Sequence, residues 1–196
     1  MLSPTERTKL SYTMMEDVLH SGVEANLISS CFVVSSDGIA LALAEKVGAM
    51  TVKETKTAGV NSAVRLGIER SKAGRFMILP ADIPIISPPD IHAALSLDSD
   101  NADVVISPSR GFDGTNLLLF SKEKPVELSY DRNSFWNHLG MSAGRSVSVA
   151  VYNEPRVALD VDSEDDLITL AELEINIPSV NFAKRVLVNG PRNREL

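Results

Sequence analysis

Short, almost wholly apolar runs alternate along this chain with segments whose apolar residues recur at helical spacing. Few folds accept that alternation. CFVVS (31–35), MTVKE (50–54), RFMILPAD (75–82) and ADVVISPS (102–109) read as strands. DGIALALAEKVG (37–48), GVNSAVRLGIERSKAG (59–74) and SPPDIHAALSL (87–97) read as the helices between them. A strand that is apolar on both faces must be covered on both, so the pattern predicts an α/β fold with a doubly wound, mostly parallel, Rossmann-like sheet. Ahead of the first strand, Leu10, Met14 and Val18 share one helical face, with Ser3, Pro4 and Glu6 supplying a cap, a first-turn proline and a capping-box acid. After residue 115 the rhythm changes. NLLLF (116–120), VSVAVYN (147–153) and RVALDVD (156–162) read as strands around a turn-rich stretch, which predicts an antiparallel addition at the sheet edge. An unpaired edge strand there leaves room for a homodimer. With no internal repeat or linker, one domain is expected over 1–188 and a tail over 189–196.

Charge and composition exclude several classes of function. Nineteen Lys and Arg against 26 Asp and Glu give a net charge of −7, with no basic block to displace counterions from nucleic acid. No apolar stretch approaches the ~20 residues of a bilayer span, and no leader-like charged and apolar N-terminus is present. The lone Cys31 has no internal disulfide partner and reads as a buried thiol in a reducing compartment. A soluble, cytoplasmic protein without a membrane or nucleic-acid partner is expected.

The most apolar strand ends on a carboxylate. In open α/β sheets, ligands bind beyond the carboxyl ends of the strands, and Asp82 stands at such an end, just before Ile83-Pro84. The other reading of Asp82 is a turn cap. A second acidic pair favours the site: in an extended segment Asp160 and Asp162 point to the same side. Three carboxylates brought together repel, and a hard cation such as magnesium removes that penalty. Asp160 and Asp162 also suit the N-terminus of the helix that follows, where Ser163 and Asp166 form a capping box.

Between these acids lies SPSRGFDGTNLLLF (107–120), a glycine-flanked turn that sets Thr115 and Asn116 before a strand. YDRNSFWNHLG (130–140) places Ser134 at the start of an amphipathic helix, either as its N-cap or as part of a phosphate site. His138, one turn on, reads as structural. Three histidines without paired spacing do not suggest zinc, and there is no P-loop pattern. Magnesium chemistry beside anion-binding loops suggests nucleotidyl transfer from a nucleoside triphosphate.

AGVNSAVRLG, ILPADIPII, SPSRGFDGTNLLL, SFWNH and ALDVDSEDDL occur in this order. With that ordered set the chain resembles the 2-phospho-L-lactate guanylyltransferases (CofC-like), relatives of the MobA-type nucleotidyltransferases with a nucleotide-diphospho-sugar transferase fold. The resemblance implies guanylyl transfer from GTP to 2-phospho-L-lactate or phosphoenolpyruvate, with pyrophosphate release, in biosynthesis of the deazaflavin coenzyme F-420. It implies that Asp82, Asp160 and Asp162 hold magnesium and are catalytic, that Thr115, Asp131 and Ser134 contact the phosphorylated acid, and that Asn61 and Asp82 lie at the nucleotide. A MobA-like or sugar-phosphate nucleotidyltransferase and an inactive, partner-binding paralogue are the alternatives.

Two departures from the family pattern stand out. Asp131 occupies a position where relatives usually carry glycine. The pattern also opens on a capped helix with no strand or phosphate-gripping loop before it. The expectation is that Met1 is an internal methionine, with roughly twenty residues ahead of it to supply the strand of a doubly wound sheet.

Overall fold

The computed structural model describes residues 2–99, 102–144 and 147–188, so the tail expected over 189–196 lies outside the described residues. In chain order the elements are α1 (Pro4–Glu24), β1 (Phe32–Ser35), α2 (Gly38–Val47), β2 (Met50–Lys53), α3 (Val60–Arg70), β3 (Arg75–Ile78) and α4 (Pro88–Ser99). Then come β4 (Val104–Pro108), β5 (Thr115–Ser121), α5 (Ser134–Ala143), β6 (Val149–Val151), α6 (Pro155–Ala158), α7 (Glu164–Glu172) and α8 (Pro178–Val188). Both capping boxes form, Ser3 with Glu6 on α1 and Ser163 with Asp166 on α7.

The fold is α/β, with its strands in two sheets. β1 and β2 pair in parallel, while the second sheet runs β3–β5–β4–β6. β5 is antiparallel to both of its neighbours, and β4 is parallel to β6. The antiparallel strand expected at an edge is therefore interior, and the second sheet is mixed rather than mostly parallel. The cause lies in two stretches. Residues 109–114 reverse the chain sharply, with the Ser109 amide donating to the Gly114 carbonyl at 3.0 Å. In β5, every residue from Thr115 to Phe120 is buried, so both faces of the strand are covered, as suits the interior of a sheet.

RVALDVD, expected as a strand, is not one. Pro155 opens the one-turn helix α6, a position that suits a residue without an N–H, and proline has no place in an interior ladder. The Asp160 amide then turns back to the Ala158 carbonyl at 3.2 Å, and the Val161 amide donates to the Asp82 carbonyl at 3.0 Å.

Helices tie the two sheets together. From α1, Met15 and Leu19 pack with Ala40, Ala44 and Ala49, while Val18 packs with Ile83 and Leu117. Leu10 and Met14 meet Leu167, Leu170 and Phe182 of the α7–α8 hairpin. From α3, a Cβ on Gly67 would lie 3.1 Å from Val34 of β1, and Val64 and Ile68 pack against the Phe76, Ile106 and Leu118 cluster. Among the described residues, no helix is long and apolar enough to cross a membrane.

Candidate active site

β3 stops at Ile78, short of the strand expected through Asp82; Asp82 lies in the turn that follows, and the structure brings Asp160 and Asp162 to it. Because Val161 is bonded to the Asp82 backbone, its two flanking aspartates are held beside the same carboxylate. Burial, then the charges of Asp162 and Asp160, push the Asp82 carboxyl up to about 6. Its Oδ1 is buried with no hydrogen-bond partner. Asp160 is also raised, chiefly by burial, although the nearby Asn116 side chain draws it down. Asp162 is exposed.

Among the described residues, no three His, Cys, Asp or Glu side chains converge into a ready-made metal cage. Magnesium needs no such cage, because it binds through one or two carboxylates and fills its remaining positions with water and substrate phosphates. A buried carboxylate oxygen without a partner, faced by like charges, fits that kind of site.

A second group of residues assembles around the start of α5. The 109–114 turn is fixed from inside by Ser109, whose hydroxyl donates to Asp113 at 2.8 Å and accepts the Gly114 amide at 2.9 Å. At Gly114 a Cβ would lie 3.1 Å from the Ser109 side chain, so any larger residue would press on the serine that fixes the turn. Phe112 takes a φ of 58°, a left-handed conformation rare for an aromatic residue, and its ring meets Phe135 edge-on at 5.8 Å. The Phe135 amide points at the Asp113 carbonyl at 3.5 Å, and the Thr115 hydroxyl lies 3.0 Å from His138 Nδ1. The turn and the helix start, predicted to serve one substrate, thus dock on one another.

Ser134 is the first residue of α5 and not its cap. Asn133 holds the cap position in a left-handed conformation, without a side-chain cap bond. Apart from the Phe135 amide, which points at Asp113, the leading amides of α5 have no carbonyl of their own helix to bond and lie beside the Ser134 hydroxyl, an arrangement suited to an anion. Asp131 is exposed, and its carboxylate accepts the Asn61 amide at 3.3 Å. Asn61 also accepts the Tyr130 amide at 2.9 Å, so both ends of its side chain are engaged by the loop ahead of α5. The residue expected at the nucleotide is thereby joined to the residue expected at the acid.

These observations frame the comparison with known proteins. Over residues 1–188 the sequence matches the family described as guanylyl transferase CofC-like. The chain belongs to this family. A 2-phospho-L-lactate guanylyltransferase of Methanocaldococcus vulcanius is 32% identical over 167 residues, 85% of this chain and 73% of that protein. A phosphoenolpyruvate guanylyltransferase of Rubrobacter xylanophilus is 35% identical over 173 residues, 87% of this chain and 83% of the relative. Among solved structures, a Desulfovibrio desulfuricans G20 protein assigned as a nucleotide-diphospho-sugar transferase superposes with a TM-score of 0.75 at 14% identity, covering 94% of this chain and 84% of its own. That likeness bears on the fold alone.

Within the CofC-like frame, the structure adds residues that the sequence reading left without a role. Asn116 donates to the Val157 carbonyl at 3.0 Å, fixing the segment that leads to Asp160. Arg110 ties the 109–114 turn to two helices, to α6 through its backbone amide on the Ala158 carbonyl and to α7 through its guanidinium on Asp166. A glycine-rich turn flanked by an arginine and an asparagine was visible in the sequence. Their partners, far off in the chain, were not.

Proposed function

We propose that this chain joins the guanylyl group of GTP to a small phosphorylated carboxylic acid, 2-phospho-L-lactate or phosphoenolpyruvate, and releases pyrophosphate. The product would be the guanylylated acid used in coenzyme F-420 biosynthesis. One observation carries the reading. Consecutive residues at the start of β5 send their side chains opposite ways. Asn116 goes to the segment bearing Asp160, and Thr115 goes to the helix bearing Ser134 and His138. A single strand end thus links the carboxylates suited to a triphosphate with the hydroxyls suited to a phosphorylated acid.

The acid's phosphate oxygen is itself the nucleophile. It attacks the α-phosphorus of GTP, a new P–O bond forms, and the bond to pyrophosphate breaks. With a phosphate already ionised, no protein base is required, so positioning and charge neutralisation carry the rate. Asp82 with Asp160 and Asp162 would hold magnesium, which when bound neutralises charge on the phosphates. Thr115, Ser134 and the leading amides of α5 orient the acid, aided by the backbone at Asp131. Asn61 and Asp82 stand on the nucleotide side.

The test is pyrophosphate release with magnesium and GTP, supplying 2-phospho-L-lactate, phosphoenolpyruvate and 3-phosphoglycerate in turn. Release with one of the first two, abolished by D82N, is the expected result. Release only with a sugar 1-phosphate, or with none of these acceptors, overturns the reading.

A further inference from the structure

We infer that His138 is a positioning residue whose Nδ1–H tautomer sets the aim of the Thr115 hydroxyl for the phosphorylated acid, and that it takes no part as an acid or base. The inference rests on the guanylyl-transfer reading above. His138 is fully enclosed, and both of its ring nitrogens are engaged. The Ser129 backbone amide lies 2.9 Å from Nε2, and Thr115 Oγ1 lies 3.0 Å from Nδ1. A backbone amide only donates, so Nε2 must accept and carry no proton. In the neutral ring the proton is then on Nδ1, and Nδ1–H donates to Thr115.

Two consequences follow for Thr115. Its oxygen is occupied as an acceptor, so its own O–H proton is directed away from the ring and left for another acceptor. Its position is also set by a ring that is itself held by the Ser129 amide on one side and by Tyr130, edge-on at 4.9 Å, on another. Ser134 and His138 are four residues apart on α5 and lie on the same face. That face therefore offers one hydroxyl directly and orients a second from β5. With both nitrogens committed, His138 has no free lone pair to abstract a proton.

Two replacements separate its two bonds. In H138N the side-chain amide nitrogen takes the place of Nδ1, keeping a donor for Thr115 while the Ser129 amide loses its acceptor. In H138Q the side-chain oxygen takes the place of Nε2, keeping the Ser129 bond while the donor to Thr115 is lost. Steady-state pyrophosphate release should show KM for the phosphorylated acid raised about tenfold in H138Q and T115V, the scale of one lost oriented hydrogen bond. KM for GTP should stay within about twofold of wild type. The double variant H138Q/T115V should lose no more than either single one, and H138N should recover most of the loss. Equal impairment of H138N and H138Q, or additive losses in the double variant, would show that His138 serves packing alone.

A second measurement is independent of turnover. Nitrogen-15 NMR of the imidazole in the wild-type chain should show the Nδ1–H tautomer, and an Nε2–H tautomer overturns the inference. Should the chain release no pyrophosphate with any acid, the guanylyl-transfer reading fails while the tautomer remains measurable.

Discussion

Asp82 is a residue whose chemistry is set against its fold. Its carboxyl is held at about 6, against 3.8 for an ordinary aspartate, first by burial and then by Asp162 and Asp160. A raised acid means that the folded chain binds a proton more tightly than the unfolded one. Above pH 6 the ionised carboxylate therefore weakens the metal-free fold, and the penalty disappears as pH falls from 6 towards 3.8. A shift of this size in a partly exposed group corresponds to roughly 2 kcal/mol. D82N, which keeps the shape and removes the charge, should raise Tm at pH 7.5 in EDTA by about 5 °C while abolishing pyrophosphate release. Differential scanning calorimetry beside the activity assay checks both halves. An unchanged or lower Tm would mean that the carboxylate is not strained in the free chain.

At the scale of elements, α6 decides where Asp160 goes. Arg156 clasps Asp90 of α4 through Nη2 at 2.6 Å and Nε at 2.9 Å, and Asp90 is only 1% exposed. Burial alone would raise the Asp90 carboxyl, yet the guanidinium and the Ser87 hydroxyl and amide hold it below its ordinary value. R156M removes the main partner of a buried charge. It should cost about 2 kcal/mol, less than a fully buried pair because Arg156 is half exposed, and lower Tm by about 6 °C. R156K, which keeps the charge but not the fork, should fall between. How much of this was legible in the sequence follows from the range of the interactions. The capping boxes at Ser3 and Ser163 involve residues three apart, and they were read correctly. The acids Asp82, Asp160 and Asp162 stood out in the sequence, but the strand ends expected to carry them did not form: β3 stops at Ile78, and 156–162 is no strand. RVALDVD alternates like a strand, but its conformation is set by Pro155 and by contacts with Asp90 and Asp82, which lie far away in the chain. The partners of His138 are 9 and 23 residues distant, so its spacing alone gave no sign of what it holds.

Over the whole molecule, two buried groups titrate in one pH window with opposite consequences for stability. Burial pushes His138 down to about 4 from 6.5, so between those values the unfolded chain takes up a proton that the folded chain refuses. Stability from this group is complete above pH 6.5 and is lost as pH falls towards 4. Asp82 does the reverse, taking up a proton in the folded chain between about 6 and 3.8. The two shifts are of similar size, each worth roughly 2 kcal/mol, so they largely offset one another in the wild type. Asp90 and Asp166 are lowered, so their stabilising charge is lost only below the ordinary carboxylate range, under this window. Difference curves separate the pair. Measured from pH 6.5 to 4 in EDTA, the Tm of D82N minus wild type should shrink, because the penalty it relieves is vanishing. The Tm of H138N minus wild type should climb, because only the wild type is losing its neutral histidine. Curves with the same slope would show that one of the two groups is not buried as the structure places it. Opposite slopes would locate a strained carboxylate and a neutral histidine on the two sides of β5, where metal binding and acid binding are proposed to meet.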